Sequence, residues 1–356
     1  MYLRRSTTVK YVLAAIFGAV VYCEWFIYVV QQQYWTELDC SGENDSTCTK
    51  ILFIADPQIQ GDLAVDTPWS YIINWDSDRY LKSTFDVVAG YFKPDVLVYL
   101  GDLMDEGSIA TFPQFHGYVK RLGNIFNWDF PVVQVWIPGD NDIGGENEPI
   151  YHSKIDEFDK VFGQQSVITY SNVSIYAVNA ITYKFPQKAD EPAGTENNFK
   201  IAVSHYPVTM RVMFSKAIMD AINPQIFFCA HDHESKYVKQ HKDLTHKVTT
   251  WFNTPKSTLD ITFDDNSLYE IYVPTCSYRM GTSYIGYGAA VLENDNKNMR
   301  YTVFWSPTRF PYLYLYLGIV IILGVYCLVF CVARQFHRKK KPSVKSADMS
   351  PLLERI

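Results

Sequence analysis

Surplus positive charge is what this sequence lacks first. Its 32 Lys and Arg face 38 Asp and Glu, a formal net charge of -6 over 356 residues. A nucleic-acid binder presents a basic face, so that class is set aside. Internal repeats and low-complexity tracts are also missing, and nothing in the composition points to disorder. Charge is absent altogether from residues 312–333, and residues 11–30 carry only Glu24. A gap in the opposite sense matters as well. The small residues of a signal-peptidase site are missing after Val20, where Tyr22, Trp25, Phe26 and Tyr28 stand instead.

Those two apolar runs are long enough to cross a bilayer, since about 20 apolar residues span its hydrocarbon core of ~30 Å. The run at 312–333 reads as a transmembrane helix. The run at 11–30 reads as an uncleaved anchor in preference to a cleaved signal peptide. Arg4, Arg5 and Lys10 precede the first run, and Arg334, Arg338, Lys339, Lys340 and Lys341 follow the second. Flanking Lys and Arg favour the cytosolic side. The expected topology therefore has a cytosolic terminus at 1–10, a lumenal stem at 31–50, a lumenal domain at 51–305 and a cytosolic tail at 334–356. The sequons at Asn44 and Asn172 agree with lumenal placement, and glycosylation is expected. Of the seven cysteines, Cys23, Cys327 and Cys331 lie in the apolar runs. Cys40 and Cys48 bracket a polar loop suited to a local disulfide in an oxidising lumen. Cys229 and Cys276 read as buried thiols in preference to a bridge.

Between the runs, short apolar stretches alternate with helical patterns, which means an α/β domain. Ile51 opens a stretch ending at Asp56. Asp95 opens another ending at Gly101-Asp102, and Pro131 a third ending at Pro138-Gly139-Asp140. A fourth stretch from Phe199 ends at His205, and a fifth from Gln225 ends at His231. Helices are expected over 76–92 and 206–222, each stopped just before a Lys-Pro or Asn-Pro pair. The β-rich pattern over 248–304 predicts a second sheet.

All five strands end in a metal-capable side chain. Ligand sites gather at the carboxyl ends of strands, so these residues are expected to converge. Carboxylate oxygens and imidazole nitrogens suit hard or borderline divalent ions. Asp56, Asp102, Asp140, His205, His231 and His233 supply six such donors. An Asp after a strand is usually a turn residue and a lone His usually a surface one. Five strand-end hits in order are hard to explain that way.

The blocks themselves carry a resemblance. Asp56-Pro57-Gln58, Gly101-Asp102-Leu103-Met104-Asp105, Gly139-Asp140-Asn141-Asp142, His205 and Ala230-His231-Asp232-His233 resemble the ordered blocks of the calcineurin-like metallophosphoesterase superfamily. The whole arrangement is similar to its subfamily related to yeast cell-division-control protein 1, which includes an enzyme removing ethanolamine phosphate from glycosylphosphatidylinositol (GPI) anchors. The resemblance implies an αββα two-sheet sandwich between two transmembrane helices, and two divalent ions, with Mn expected. One ion would be held by Asp56, Asp102 and His233, the other by Asp102, Asp140, His205 and His231, with Asp102 bridging. It implies hydrolysis of a lipid-linked or glycan phosphoester, with Asn141 and Asp142 at the catalytic positions, in an ER or Golgi membrane.

Three positions depart from the blocks. Gln58 stands for a ligand His, Asp140 for a ligand Asn, and Asn141 for the His that protonates the leaving group. An amide is no general acid at physiological pH, so another donor would be needed, such as a metal-bound water or a mobile histidine like His116 or His152. The alternative reading is therefore a weak or inactive relative serving as a cargo or trafficking adaptor. Gly144-Gly145-Glu146 is a candidate phosphate-side loop or an ordinary turn. The stretch 348–353 resembles an acidic dileucine sorting signal.

Overall fold

The computed structural model describes residues 2–40, 48–63, 68–129 and 131–339. The sequon at Asn44 and the dileucine-like stretch fall outside them. The chain opens with α1 (Tyr2–Val21), a π-helical turn (Tyr22–Phe26) and α2 (Ile27–Gln31). Its first half continues with β1 (Cys48–Ile54), α3 (Ser70–Phe92), β2 (Val96–Tyr99), α4 (Phe112–Ile125), β3 (Val133–Trp136), α5 (Asp140–Ile143) and α6 (His152–Phe162). Next come β4 (Val167–Tyr170), β5 (Val173–Ala177), β6 (Phe199–Val203), α7 (Val212–Ala221) and β7 (Ile226–Cys229). The remainder is β8 (Lys236–His241), β9 (Val248–Trp251), β10 (Leu259–Thr262), β11 (Ser267–Tyr272), β12 (Gly286–Glu293), β13 (Asn298–Trp305) and α8 (Phe310–Lys339).

Two sheets result. One runs β10-β13-β12-β1-β2-β3, the other β4-β5-β6-β7-β11-β8-β9. The parallel cores are β1-β2-β3 and β5-β6-β7-β11, and antiparallel strands close their flanks. Alternation along β1 shows why the sheets face each other. Ile51 and Phe53 enter one apolar cluster with Val98, Val203 and Phe228, whereas Leu52 and Ile54 enter another with Leu81 and Phe85 of α3. Phe53 stacks on Phe228 across the two sheets at 4.0 Å between ring centroids. Each such side chain contributes roughly 1.5–3 kcal/mol of transfer free energy. The five site-bearing strands are thus divided, three in one sheet and two in the other, and their carboxyl ends meet where the sheets do.

α3 begins six residues before the expected start and buries Tyr80, Leu81, Phe85, Val88 and Phe92 on one face. Lys93, at φ 50°, ends it before Pro94. α4 starts on a capping box, with the Thr111 amide donating to Gln114 Oε1 at 2.9 Å. Within the expected stem, residues 32–40 are partly packed on the domain. Trp35 and Leu38 are buried, and the Trp35 indole donates to the Trp305 carbonyl at 2.8 Å. Cys40 and Cys48 are bonded as a disulfide, while Cys229 and Cys276 are free, buried thiols. Asn172 Nδ2 donates to Asn294 O and Asn296 Oδ1, so a glycan there would have to displace at least one of these bonds.

Two helical stretches, Val9–Tyr34 and Phe310–Phe336, are long and apolar enough to cross a membrane. The second exposes its apolar surface throughout. Gly18–Thr308 form one compact unit, and within it Cys23, Glu24, Ile27 and Tyr28 are buried.

Candidate metal centre

The site is built on strand ends that leave the sheet through left-handed backbone. Asp56, Gln58, Asp102, His231 and His233 all have φ between 42° and 67°. Such conformations are costly for non-glycine residues and cluster at functional sites. Two glycines let the loops approach. A Cβ on Gly139 would lie 2.1 Å from Asp102 Oδ1. One on Gly101, at φ 94°, would lie 2.7 Å from His205 Nδ1.

All six predicted ligand residues are brought together in two groups. Asp140, His205 and His231 form one and Asp56, Asp102 and His233 the other, the donor atoms of each lying within 4.8 Å of one another. Within the first, His205 Nε2 is 3.0 Å and His231 Nδ1 3.3 Å from Asp140 Oδ1. Asp102 Oδ1 is 3.4 Å from His205 Nε2, so this carboxylate adjoins both groups. His233 Nε2 lies 3.9 Å from Asp56 Oδ1. Asp56, Asp102, Asp140 and His205 are buried, whereas His231 and His233 stand at the partly open rim. His205 Nδ1 is 2.8 Å from the Leu100 carbonyl, an N–H donation that leaves Nε2 for the site.

The donor set fits divalent cations. Neither oxygen of fully buried Asp56 has a well-formed hydrogen bond, although the His231 amide points at it. A buried carboxylate so placed is stable only when neutral or beside a cation. In the metal-free protein burial pushes the Asp56 and Asp102 carboxyls upward, and neighbouring carboxylates add to that. Burial alone would lower His205, but Asp102, Asp140 and Asp56 raise it to about 10. His233 is lowered to about 4 by burial and by the charges of His205 and His231. Burial opposes ionisation of Asp140 too, but its contacts with His205 and His231 hold it well below the usual range.

The departing residues have a joint geometry that their spacing did not foretell. Gln58 Nε2 and Asn141 Nδ2 each donate to Asp102 Oδ2 at 3.0 Å, and the Asn141 amide nitrogen donates to Oδ1 at 3.0 Å. Three N–H groups thus clasp the carboxylate that belongs to one donor group and adjoins the other. Asp142 turns away from them. Fully buried, it accepts the amides of Leu103, Met104 and Gly139 at 3.1, 3.0 and 2.8 Å. These bonds tie the loop after β2 to the loop after β3, a positioning role for a residue expected at a catalytic position. His116 packs on Phe112 and Phe115 of α4, and His152 opens α6; neither belongs to the two groups.

Two contributors escaped the sequence reading. The Tyr206 ring lies 4.3 Å from His231, and burial together with the Asp140 and Glu146 carboxylates pushes its phenol up. Glu270 on β11 is buried and accepts the amides of Val208 and Thr209 at 2.6 and 3.0 Å, plus the Thr209 hydroxyl, fixing the loop behind His205. The adjacency of Tyr206 to His205 was the available signal for the first. For Glu270 there was none beyond an acid in a strand.

Comparison with known proteins agrees with the blocks. Metallophosphoesterase 1 of Pongo abelii is 24% identical over 185 residues, covering 50% of this chain and 45% of that protein. The Danio rerio protein of the same name is 27% identical over 184 residues, again 50% and 45%. The chain thus matches less than half the length of these relatives, whose name is not that of the narrower subfamily expected from the sequence. Among solved structures, a metallophosphoesterase from Sphaerobacter thermophilus is similar at 12% identity, covering 72% of this chain and 88% of that one with a TM-score of 0.38. PhoD is similar at 11% identity, covering 69% and 64% with a TM-score of 0.42. The model of the calcineurin-like phosphoesterase family matches residues 49–235, over half of the sequence, and the chain belongs to that family.

Proposed function

We propose that this chain is a membrane-anchored phosphoester hydrolase whose six clustered donors hold two divalent cations, Mn being the expected metal. The observation that supports this most is the pair of donor groups adjoining Asp102, with Asp56 buried and without a well-formed hydrogen bond. Two such cations supply Lewis acidity toward a phosphoryl oxygen and toward water. The protein's own part is positional. Leu100 O fixes the tautomer of His205, Asp142 and Glu270 hold the loops that carry the ligands, and the Gln58 and Asn141 amides orient Asp102. Asn141 supplies no acidic proton, so ester cleavage should favour leaving groups that depart unaided.

The substrate class follows from anchoring and resemblance: a lipid-linked or glycan phosphoester, with ethanolamine phosphate on GPI-anchor glycans the narrowest form of the reading. The apolar helices, their basic flanks and the Cys40–Cys48 disulfide support an ER or Golgi membrane with the domain lumenal. In intact microsomes a C-terminal tag should be digested by added protease while the domain survives. A protected tag would overturn the topology. The second reading, a trafficking adaptor, is favoured by the amide clasp on Asp102. Full chain that binds Mn yet hydrolyses neither an aryl phosphodiester nor an ethanolamine-phosphate glycan would select it.

A further inference from the structure

The outward face of α3 changes character along its length. Its first turns expose Tyr71, Ile72 and Trp75, which are 81%, 53% and 54% accessible, beside Trp69 at 65%. Residues three and four apart share a helix face, so these side chains form one patch that continues into Arg79 and Lys82. From there outward the face is charged: Arg79 pairs with Glu24 and Lys82 with Asp86. The opposite face carries the buried row of Tyr80, Leu81, Phe85 and Val88. The aromatic turns are therefore surplus to the core.

The patch is continuous with the N-terminal helix. The Arg79 guanidinium lies 5.8 Å from the Trp25 ring and 5.6 Å from the Trp75 ring, so one cation joins the two. Glu24, the single charge of residues 11–30, is neutralised by that same arginine. Behind it Cys23, Ile27 and Tyr28 pack inward, Tyr28 against Tyr80 at 6.1 Å between ring centroids, while Trp25, Phe26 and Val29 stay exposed. Trp25, Phe26 and Val29 all lie within the candidate span Val9–Tyr34.

We propose that Trp69, Tyr71, Ile72 and Trp75, with Trp25 and Phe26, rest in the headgroup layer of the bilayer that the N-terminal helix enters. This inference rests on the membrane anchoring proposed above. Trp and Tyr favour that layer because it offers both apolar contact and hydrogen-bond partners. An exposed aromatic patch of this kind on a soluble surface marks an interaction site. The occupant is a zwitterionic phospholipid surface. The cations along the face are already paired within the protein, which leaves aromatic contact as the attraction. The step from Trp75 to Arg79 on α3 then marks the water side of the interface.

The test uses full-length chain in phosphatidylcholine nanodiscs whose lipids carry bromine on the shallow part of one acyl chain. Trp25→Phe removes the reporter nearest the span, leaving Trp69 and Trp75 as the indoles of this face. Bromolipid should quench fluorescence in that variant. Adding Trp69→Phe and Trp75→Phe should remove most of the quenching, with unchanged incorporation and unchanged hydrolysis of a soluble aryl phosphodiester. Incorporated chain whose quenching is the same with and without those two indoles would overturn this inference alone and leave the face to a protein partner. Failure of the chain to enter nanodiscs would overturn the anchoring and this inference with it.

Discussion

Asp102 carries a shared load at the residue scale, and its three N–H donors decide how it behaves. Asn141→His would exchange an amide that orients this carboxylate for an imidazole able to give up a proton. Alkyl phosphodiester turnover should rise more than aryl turnover, toward the lower end of the ~10²–10⁴-fold that a positioned acid supplies. The gain is limited because Asp142 is already committed to three backbone amides. Equal gains for both ester classes would contradict that role. A second prediction concerns protons in the metal-free protein. His205 is raised to about 10 in the fold, above its unfolded value of about 6.5. Its contribution to stability is then full below pH ~6.5 and lost as pH rises toward 10. In chelator, the urea midpoint should fall across that window, and His205→Gln should flatten the fall. A midpoint that climbs through the window would contradict it. The candidate ligands were legible in the sequence because they end an apolar stretch or, as His233 does, closely follow one. The clasp was not, since it depends on left-handed backbone at Gln58 and Asp102 bringing together residues far apart in the chain.

At the scale of elements, the centre depends on loops held by buried acids. Asp142→Ala would orphan the amides of Leu103, Met104 and Gly139. An unsatisfied buried donor costs about 1–3 kcal/mol, so denaturant melts should show a loss of at least that size together with weakened metal retention. Wild-type stability would refute the positioning role. Gly139→Ala tests the close approach of the two loops. Its methyl would meet Asp102 Oδ1 and backbone nitrogen, so metal content should drop while the fold is kept. Apolar stretches made the five site-bearing strands readable to within a few residues. α4 and α6 went unnamed although their signals were there to be used: Phe115, Tyr118, Leu122 and Ile125 recur at helical spacing behind the Thr111–Gln114 capping box, and α6 buries Phe158 and Phe162 on one face. The packing of Trp35 and Leu38 was not legible because they are apolar residues in a polar run. Only their distant partners, such as Trp305, reveal that they are packed.

At the scale of the whole molecule, each half of the chain brings its own parallel strands and its own share of ligands. β1, β2 and β3 lead to Asp56, Asp102 and Asp140 in one sheet, and β6 and β7 lead to His205 and to His231 and His233 in the other. Neither half holds a complete donor group, so the centre exists only when both sheets have packed through contacts such as Phe53 on Phe228. Strand order was beyond the sequence, because equal apolar runs do not say which sheet they join. Carboxylates from one sheet and imidazoles from the other are the account's central claim, and Asp102 is the residue adjoining both groups. The most direct measurement is metal content per chain of full-length protein and of Asp102→Asn, with hydrolysis of an aryl phosphodiester followed on the same samples. Two ions and hydrolysis are expected in the wild type, and at most one ion with hydrolysis abolished in the variant. A variant that keeps both ions or near-normal hydrolysis would contradict it.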